Sequence, residues 1–321
     1  MAKVIKPTRS LGTGKSTGLY RITARFLKCW QLYLLFLLPM IYIVLFHYVP
    51  MYGAQIAFRD FRINEGITNS PWAGFKHFIR FFESHDFLVI MRNTLGISIY
   101  NLVAGFPFSI LLAVLLNYAR NDHFKKTVQM VTYAPYFIST VVMVSMVLEF
   151  LSPRTGIINE IITLMGHESI NFMGTPEYFK SIYVWSGIWQ GTGYGAIIYL
   201  AALAGIDPTL HEAAIVDGAT KVQRIWHIDL PGILPTAVIL LIMNTGHILN
   251  TGYEKILLMQ NPLNMRTSQV IDTFVYQVGF SSQIVDYSYP TAVGLFKSII
   301  NLILLITVNK ISGKLSQTSL W

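Results

Sequence analysis

Six stretches of this chain stay apolar long enough to cross a bilayer: residues 31–51, 93–117, 128–151, 181–204, 232–252 and 290–311. A helix needs about 20 apolar residues to span the hydrocarbon core. In lipid each backbone N–H and C=O must find its partner inside the protein, so continuous apolar runs of this length are expected to be helices. The expected fold is therefore an all-α membrane protein with about six transmembrane helices. Composition agrees: 53% of the 321 residues are hydrophobic and 12% charged, whereas soluble domains carry about 25% charged residues.

Charge placement sets the expected orientation. Residues 1–30 carry Lys3, Lys6, Arg9, Lys15, Arg21, Arg25 and Lys28 and no acid. A basic end before an apolar run is kept in the cytosol. This tail accounts for most of the net charge of +8, which is thereby not a nucleic-acid signal. The first span is too long for a signal-peptide core and no small-residue cleavage site follows it, so it is expected to remain in place. The connection 118–127 offers Arg120, Lys125 and Lys126 against Asp122, and the tail offers Lys310 and Lys314. Residues 152–180, on the other side, carry Glu160, Glu168 and Glu177 against Arg154 and Lys180. The organisation expected is a cytosolic basic tail (1–30), a transmembrane domain (31–311) with a cytosolic loop at 205–231, and a cytosolic C-terminal tail (312–321). Both termini are expected on the cytosolic side of a bacterial inner (cytoplasmic) membrane.

Several chemistries find no footing. "GTGKST" at 12–17 has Arg9 where a phosphate-binding loop needs its first glycine, and no strand leads into it. The single cysteine, Cys29, cannot form an internal disulfide. The eight histidines show no metal spacing. An enzyme would have no nucleophile or metal set. Gradient-driven carriers place an ionisable residue in the membrane to couple the ion, but the only acid at a span edge is Glu149. Uphill transport would need energy from another protein through a cytosolic contact. A self-sufficient secondary carrier or channel for a polar solute is the alternative.

That contact has a candidate in "HEAAIVDGATKVQRIWHIDLP", 211–231. Asp207-Pro208 is a good helix start, an acidic cap followed by proline at the first helical position. The helix should run to about Val216 and break at Asp217-Gly218, since glycine readily takes the left-handed conformation. A second short helix would carry Val222, Ile225 and Trp226 on one face and stop at Leu230-Pro231. Ala213, Ala214, Gly218 and Ala219 let another surface approach the backbone, and Glu212 and Asp217 add negative charge.

Glu212-Ala213-Ala214, Asp217-Gly218-Ala219, then Ile228, Leu230 and Pro231 resemble the "EAA" loop of permease subunits of binding-protein-dependent ABC importers. "RTSQVIDTFVYQVGF" (266–280), "YPTAVGLFKSIINLILL" (289–305) and the terminal "SLW" look like the carbohydrate-uptake branch, in particular permeases for complex oligosaccharides. The resemblance implies a type I importer permease architecture. It implies pairing with a second permease, expected to be a different chain. It also implies two ATPase subunits that bind ATP and Mg, and an extracytoplasmic binding protein that delivers the oligosaccharide. This chain itself would bind no cofactor. Glu212, Ala213, Ala214, Asp217, Gly218, Ala219, Leu230 and Pro231 would form the ATPase-coupling helix, with Glu212 engaging a basic group and Gly218 allowing the bend.

Polar residues inside the spans suggest where solute passes, because a sugar presents polar edges and apolar faces. Gln190 and Tyr194 lie near the repeated Gly187, Gly191 and Gly195, which also permit close helix packing. Asn244, His247 and Thr251 form a stripe flanked by Asn250, and span two offers Asn93, Tyr100 and Asn101. Lys297 is the one cation well inside a span. It either attracts an acidic sugar or snorkels to the interface. Each of these groups could instead bond between helices.

Overall fold

The computed structural model describes residues 30–281 and 286–316, with side chains to residue 314. The "GTGKST" stretch, Cys29 and the terminal "SLW" lie outside them. The described residues are mainly helical, with one isolated bridge, Arg59 to Trp72, in place of a sheet. Four continuous helices are long and apolar enough to cross a membrane: Trp30–Phe58, Asp86–Asn117, Lys221–Gly246 and Ser288–Lys314. Two bent helix pairs bring the number to six when each counts as one span.

The first span is α1, Trp30–Ile43, extended by a widened turn at Val44–Tyr48 just ahead of Pro50. It belongs to a unit that ends at Gln55, and the remainder from Ile56 forms a second unit. In that second unit α2 (Lys76–Glu83) precedes α3 (Asp86–Asn117), and α4 (Asp122–Tyr133) leads to α5 (Thr140–Phe150). After α6 (Ile157–Leu164) comes α7, Pro176–Ala204, whose 29 residues rise about 1.5 Å each. The hook helix α8 (Pro208–Val216) turns away from α7 by 72°. The last long elements are α9 (Lys221–Gly246) and α13 (Ser288–Ser316). Between them lie three short helices: α10 (Tyr253–Met259), α11 (Met265–Ser268) and α12 (Ile271–Tyr276).

Two expectations are corrected. Residues 128–151 are not one straight span, because α4 and α5 meet at 101°. Ala134–Phe137 tightens into a 3-10 turn around Pro135, Ile138 is extended, and the Ser139 hydroxyl caps α5 at Val142 N–H. The carbonyl of Ile138, released from the helix, accepts a bond from Gln190 Nε2 at 3.0 Å. Span five also differs at both ends. Leu230-Pro231 does not stop the second hook helix, which continues from Lys221 through to Gly246. The turn Ile225–Asp229 widens to π geometry. This relieves the clash between the Pro231 ring and the carbonyl one turn back and absorbs the missing N–H. At the far end the helix stops at Gly246 rather than running to 252. Residues 266–280 are broken at Gln269-Val270, between α11 and α12. The groups freed there are satisfied by α3: Asn93 Nδ2 donates to the carbonyls of Arg266 (2.9 Å) and Gln269 (3.2 Å), and Thr94 Oγ1 accepts from Ile271 N–H at 3.0 Å.

α3, α7 and α9 pack around a buried cluster of Ala113, Val114, Tyr199, Leu203, Ile233 and Ala237 near the hook. Small residues set the spacing between helices. A Cβ on Gly193 would stand 2.0 Å from the Thr132 carbonyl oxygen, and one on Gly195 2.7 Å from Ser109 Oγ. Of the glycine stripe expected to bring helices together, Gly195 does so, whereas Gly191 has nothing within 4 Å. The strongest such contact is Gly193, outside that stripe.

Candidate coupling hook and solute cavity

The hook is built by local signals. Asp207 Oδ1 accepts from Thr209 N–H at 2.9 Å and caps α8, with Pro208 at the first helical position. These bonds to Thr209 hold the Asp207 carboxyl below its usual range. α8 ends at Val216, Gly218 has φ +77°, and Ala219 N–H reaches back to the Ala214 carbonyl at 2.8 Å. That long back-bond closes a left-handed helix end, a conformation costly for any residue with a Cβ. Thr220 and Gln223 then start α9 with reciprocal bonds, Thr220 N–H to Gln223 Oε1 at 2.7 Å and Gln223 N–H to Thr220 Oγ1 at 3.4 Å.

The hook is tethered beneath and open above. Ile206, Ile225 and Leu230 pack on the cluster shared by α3, α7 and α9. A Cβ on Gly232 would meet Ile206 Cδ1 at 2.5 Å, so glycine is what lets α9 lie against the hook. Glu212, Asp217 and Gly218 are exposed, together with the apolar Leu210, Ile215, Val216, Val222 and Trp226. Ile225, expected on the same face as Val222 and Trp226, instead faces the core. Ala213 and Pro231 are exposed, and Ala214, Ala219 and Leu230 half-buried.

One residue that sequence reasoning passed over fixes this geometry. Asp229 is fully buried at the π turn. Its Oδ2 accepts from Tyr118 O–H at 2.7 Å, and its Oδ1, which makes no hydrogen bond, faces His211 Nε2 at 3.4 Å. The Arg224 guanidinium lies 5.8 Å from the Tyr118 ring centroid. Burial, then the Asp229 carboxylate, push the Tyr118 hydroxyl up to about 12. A single carboxylate thus ties the end of α3, helix α8 and the base of α9. Nothing in the local sequence marks it, since Tyr118 lies 111 residues away. The available clue was an acid between Ile228 and Leu230.

On the side of the helices away from the hook, α3, α7 and the end of α9 enclose a cavity of about 590 Å³. Asn244, His247 and Asn250 line it, as do Asn101, Tyr183 and Thr251. Because α9 stops at Gly246, residues 247–252 form the wall as unwound chain rather than as a helical stripe. Asn301 Oδ1 accepts from Leu249 N–H at 3.2 Å, Asp272 Oδ2 accepts from Thr251 N–H at 3.3 Å, and Tyr183 O–H donates to the Thr251 carbonyl. Asn250 bridges His247 Nδ1 (3.2 Å) and Asn301 Nδ2 (3.3 Å).

The other path candidates lie off this cavity. Gln190 bonds Ile138 at the break between α4 and α5, and Tyr194 stacks on Tyr136 with centroids 3.8 Å apart. Lys297 neither snorkels nor faces the cavity; it pairs with Asp272, a carboxylate that comes from the segment between spans. Tyr100 accepts from Trp185 Nε1 at 2.9 Å, outside the cavity wall. Against Gly187 of the cavity wall stands a cation that sequence reading had not singled out, Lys255 on α10. Burial pulls its ammonium down to about 7. Among the described residues no cluster of His, Cys, Asp or Glu could hold a metal ion.

A multi-helix membrane protein with a polar cavity between its spans and an exposed, rigidly tethered hook on one face is a solute permease. The comparisons place it further: the chain belongs to the family of binding-protein-dependent transport system inner membrane components, whose model matches residues 105–317. It is thus an ABC importer permease, multi-pass in the inner membrane. The polygalacturonan/rhamnogalacturonan transport system permease protein YteP of Bacillus subtilis is 41% identical over 301 residues, 94% of this chain and 93% of that one. Protein LplB of the same organism is 41% identical over 290 residues, 90% and 91% of the two chains. Among solved structures, a bacterial ABC transporter involved in the import of the acidic polysaccharide alginate matches with TM-score 0.85 and 38% identity, over 92% of this chain and 99% of that one. The alginate transporter in complex with a pentasaccharide-bound periplasmic protein matches with TM-score 0.86 and 37% identity, over 94% and 100%.

Proposed function

We propose that this chain is the permease of an ATP-driven importer for an acidic oligosaccharide, forming half of an alternating-access path with a second, different permease. A binding protein outside the membrane delivers the sugar. Two ATPase subunits inside bind ATP and Mg, and this subunit does no covalent chemistry. The transmembrane domain is 31–311, flanked by the cytosolic tails 1–30 and 312–321. Its loop 205–231 is the coupling element. Glu212, Asp217 and the exposed apolar residues of α8 and α9 enter a cleft of the ATPase, and Ala213, Ala214, Gly218 and Ala219 allow the close approach. Leu230 and Pro231 pass the movement into span five, since α9 is continuous from the hook to Gly246. Asn244, His247 and Asn250 meet the sugar. Gln190, Tyr194 and Lys297 act between helices, through the contacts described above.

The observation that carries this reading is the hook itself: an Asp-capped helix ended by a left-handed glycine, exposed above and anchored to three spans below. The acidic class of sugar is supported by the relatives, whose names specify polygalacturonan, rhamnogalacturonan and alginate. Co-purification from the native membrane tests it. The intact chain is expected to bring down an ATPase, and the double variant Glu212→Arg, Gly218→Leu to lose it. If neither brings one down, the reading fails and a gradient-driven carrier takes its place.

A further inference from the structure

Cations in this fold divide by whether a carboxylate meets them. Lys76 pairs with Asp60 and Arg80 with Asp286, each at 2.9 Å, and Lys297 pairs with Asp272. Lys255 has no carboxylate in ion-pair range among the described residues, although it is only 9% exposed. Its Nζ donates to the Tyr183 carbonyl at 2.8 Å and sits 4.5 Å from the Tyr183 ring centroid. Both contacts hold an ammonium in place and neither cancels its charge. Burying a cation without a counter-charge is costly, which is why burial pulls this ammonium down to about 7; an anion reaching it would restore and hold its charge.

The position of that ammonium relative to the cavity is defined by a glycine. A Cβ on Gly187 would stand 3.2 Å from Lys255 Nζ and 4.0 Å from Asn101 Oδ1. Tyr183, Gly187 and Asn101 line the cavity and Lys255 does not; its Nζ lies against the Gly187 position in that wall, where residue 187 contributes no side chain. Lys180 repeats the device closer to the start of α7. Its Nζ lies 3.0 Å from where a Cβ on Gly96 would be, and it too lacks a carboxylate partner among the described residues. Residues 180 and 187 lie seven apart on α7 and so share a face, about 10 Å apart along the axis. Two lysines without a carboxylate partner among the described residues thus each stand against a glycine, Lys180 at Gly96 and Lys255 at Gly187.

We propose that Lys255, approached past Lys180, is the specificity-determining residue of the cavity and binds a carboxylate of the passing sugar, so that this permease selects oligouronates over neutral oligosaccharides. The neutral hydrogen-bonding groups Asn101, Asn244 and His247 would contact hydroxyls, which every sugar has. Lys255 supplies the contact that only an acidic sugar can use. The inference rests on the importer reading above and names the group that recognises the charge of its substrate.

The test is uptake into proteoliposomes holding the whole importer with its binding protein. The probes are trigalacturonate and its fully methyl-esterified form, which has the same skeleton without charge. Lys255→Met keeps the side-chain length and removes the ammonium, and Lys255→Arg restores a cation. Expected is a fall in trigalacturonate uptake of about tenfold or more in Lys255→Met, the loss of one charge-assisted hydrogen bond. The ester should be affected less than twofold, and Lys255→Arg should recover much of the acid uptake. Lys180→Met should show the same selectivity more weakly. Unchanged acid uptake in Lys255→Met overturns the inference. So does an equal fall for both probes in the Met and Arg variants, which would make Lys255 a packing residue. Failure of the importer reading looks different: the unaltered complex would take up neither probe when ATP is supplied.

Discussion

Removing the Asp229 carboxylate should free the hook without unfolding the spans. Asp229 is fully buried, and its bond to Tyr118 at 2.7 Å is a hydrogen bond to a charged group, worth about 1.5–3 kcal/mol. Its approach to His211, at 3.4 Å without a hydrogen bond, adds less. Since about 1.4 kcal/mol is a factor of ten in an equilibrium constant, Asp229→Ala should raise the population of detached hook roughly ten- to a hundredfold. Amide hydrogen exchange reads this directly. The amides at the base of α9, around Ile225–Asp229, should exchange about ten to a hundred times faster in the variant, while those at the centres of α3 and α7 stay as they were. Those of α8 should quicken by less, since only the His211 approach links α8 to Asp229. Tyr118→Phe should loosen the hook more than Asp229→Ala, because it leaves a buried carboxylate with only His211 beside it. Stranding a buried charge costs more than removing it. The double variant should therefore return toward the Asp229→Ala rate. If exchange at the base of α9 is unchanged in Asp229→Ala, or if the double variant is worse than both singles, the carboxylate does not hold the hook.

Other consequences follow from contacts elsewhere. Gly193→Ala would place a methyl 2.0 Å from the Thr132 carbonyl oxygen, so α7 must move off α4; a loss of about 1–3 kcal/mol is expected from such overpacking, seen as a lower melting temperature in detergent. Lys297→Met and Asp272→Leu should each destabilise by about 3–5 kcal/mol by stranding the partner, while the double variant, apolar at both positions, should be far milder, a pattern a thermal-melt cycle would reveal. The Asp60 carboxyl is held below its usual value, 3.8, chiefly by its bond to Lys76. A depressed carboxylate pKa gives stability that is present above 3.8 and lost as pH falls through the folded value. Proteolytic cutting near residues 60–76 should therefore increase below about pH 4, and Lys76→Met should remove most of that acid response.

Much of this protein was legible in the residues because its strongest constraints are local. Apolar length alone called for membrane helices, as lipid offers no partner for a free backbone group. The hook was legible for the same reason: Asp207 and Pro208 start a helix, Gly218 ends one, and each signal acts within a turn of where it stands. Proline was where local reasoning misled. Pro231 was expected to stop a helix, but packing against α3 and α7 held the chain helical and a widened turn at Ile225–Asp229 absorbed the mismatch. Only the tertiary structure brought Asp229 to Tyr118 and His211, put Asp272 on Lys297, and left Lys255 against Gly187 with no carboxylate partner among the described residues. Which charges meet depends on how distant helices pack, and a side chain's partner across a helix interface leaves no trace in its own neighbours along the chain.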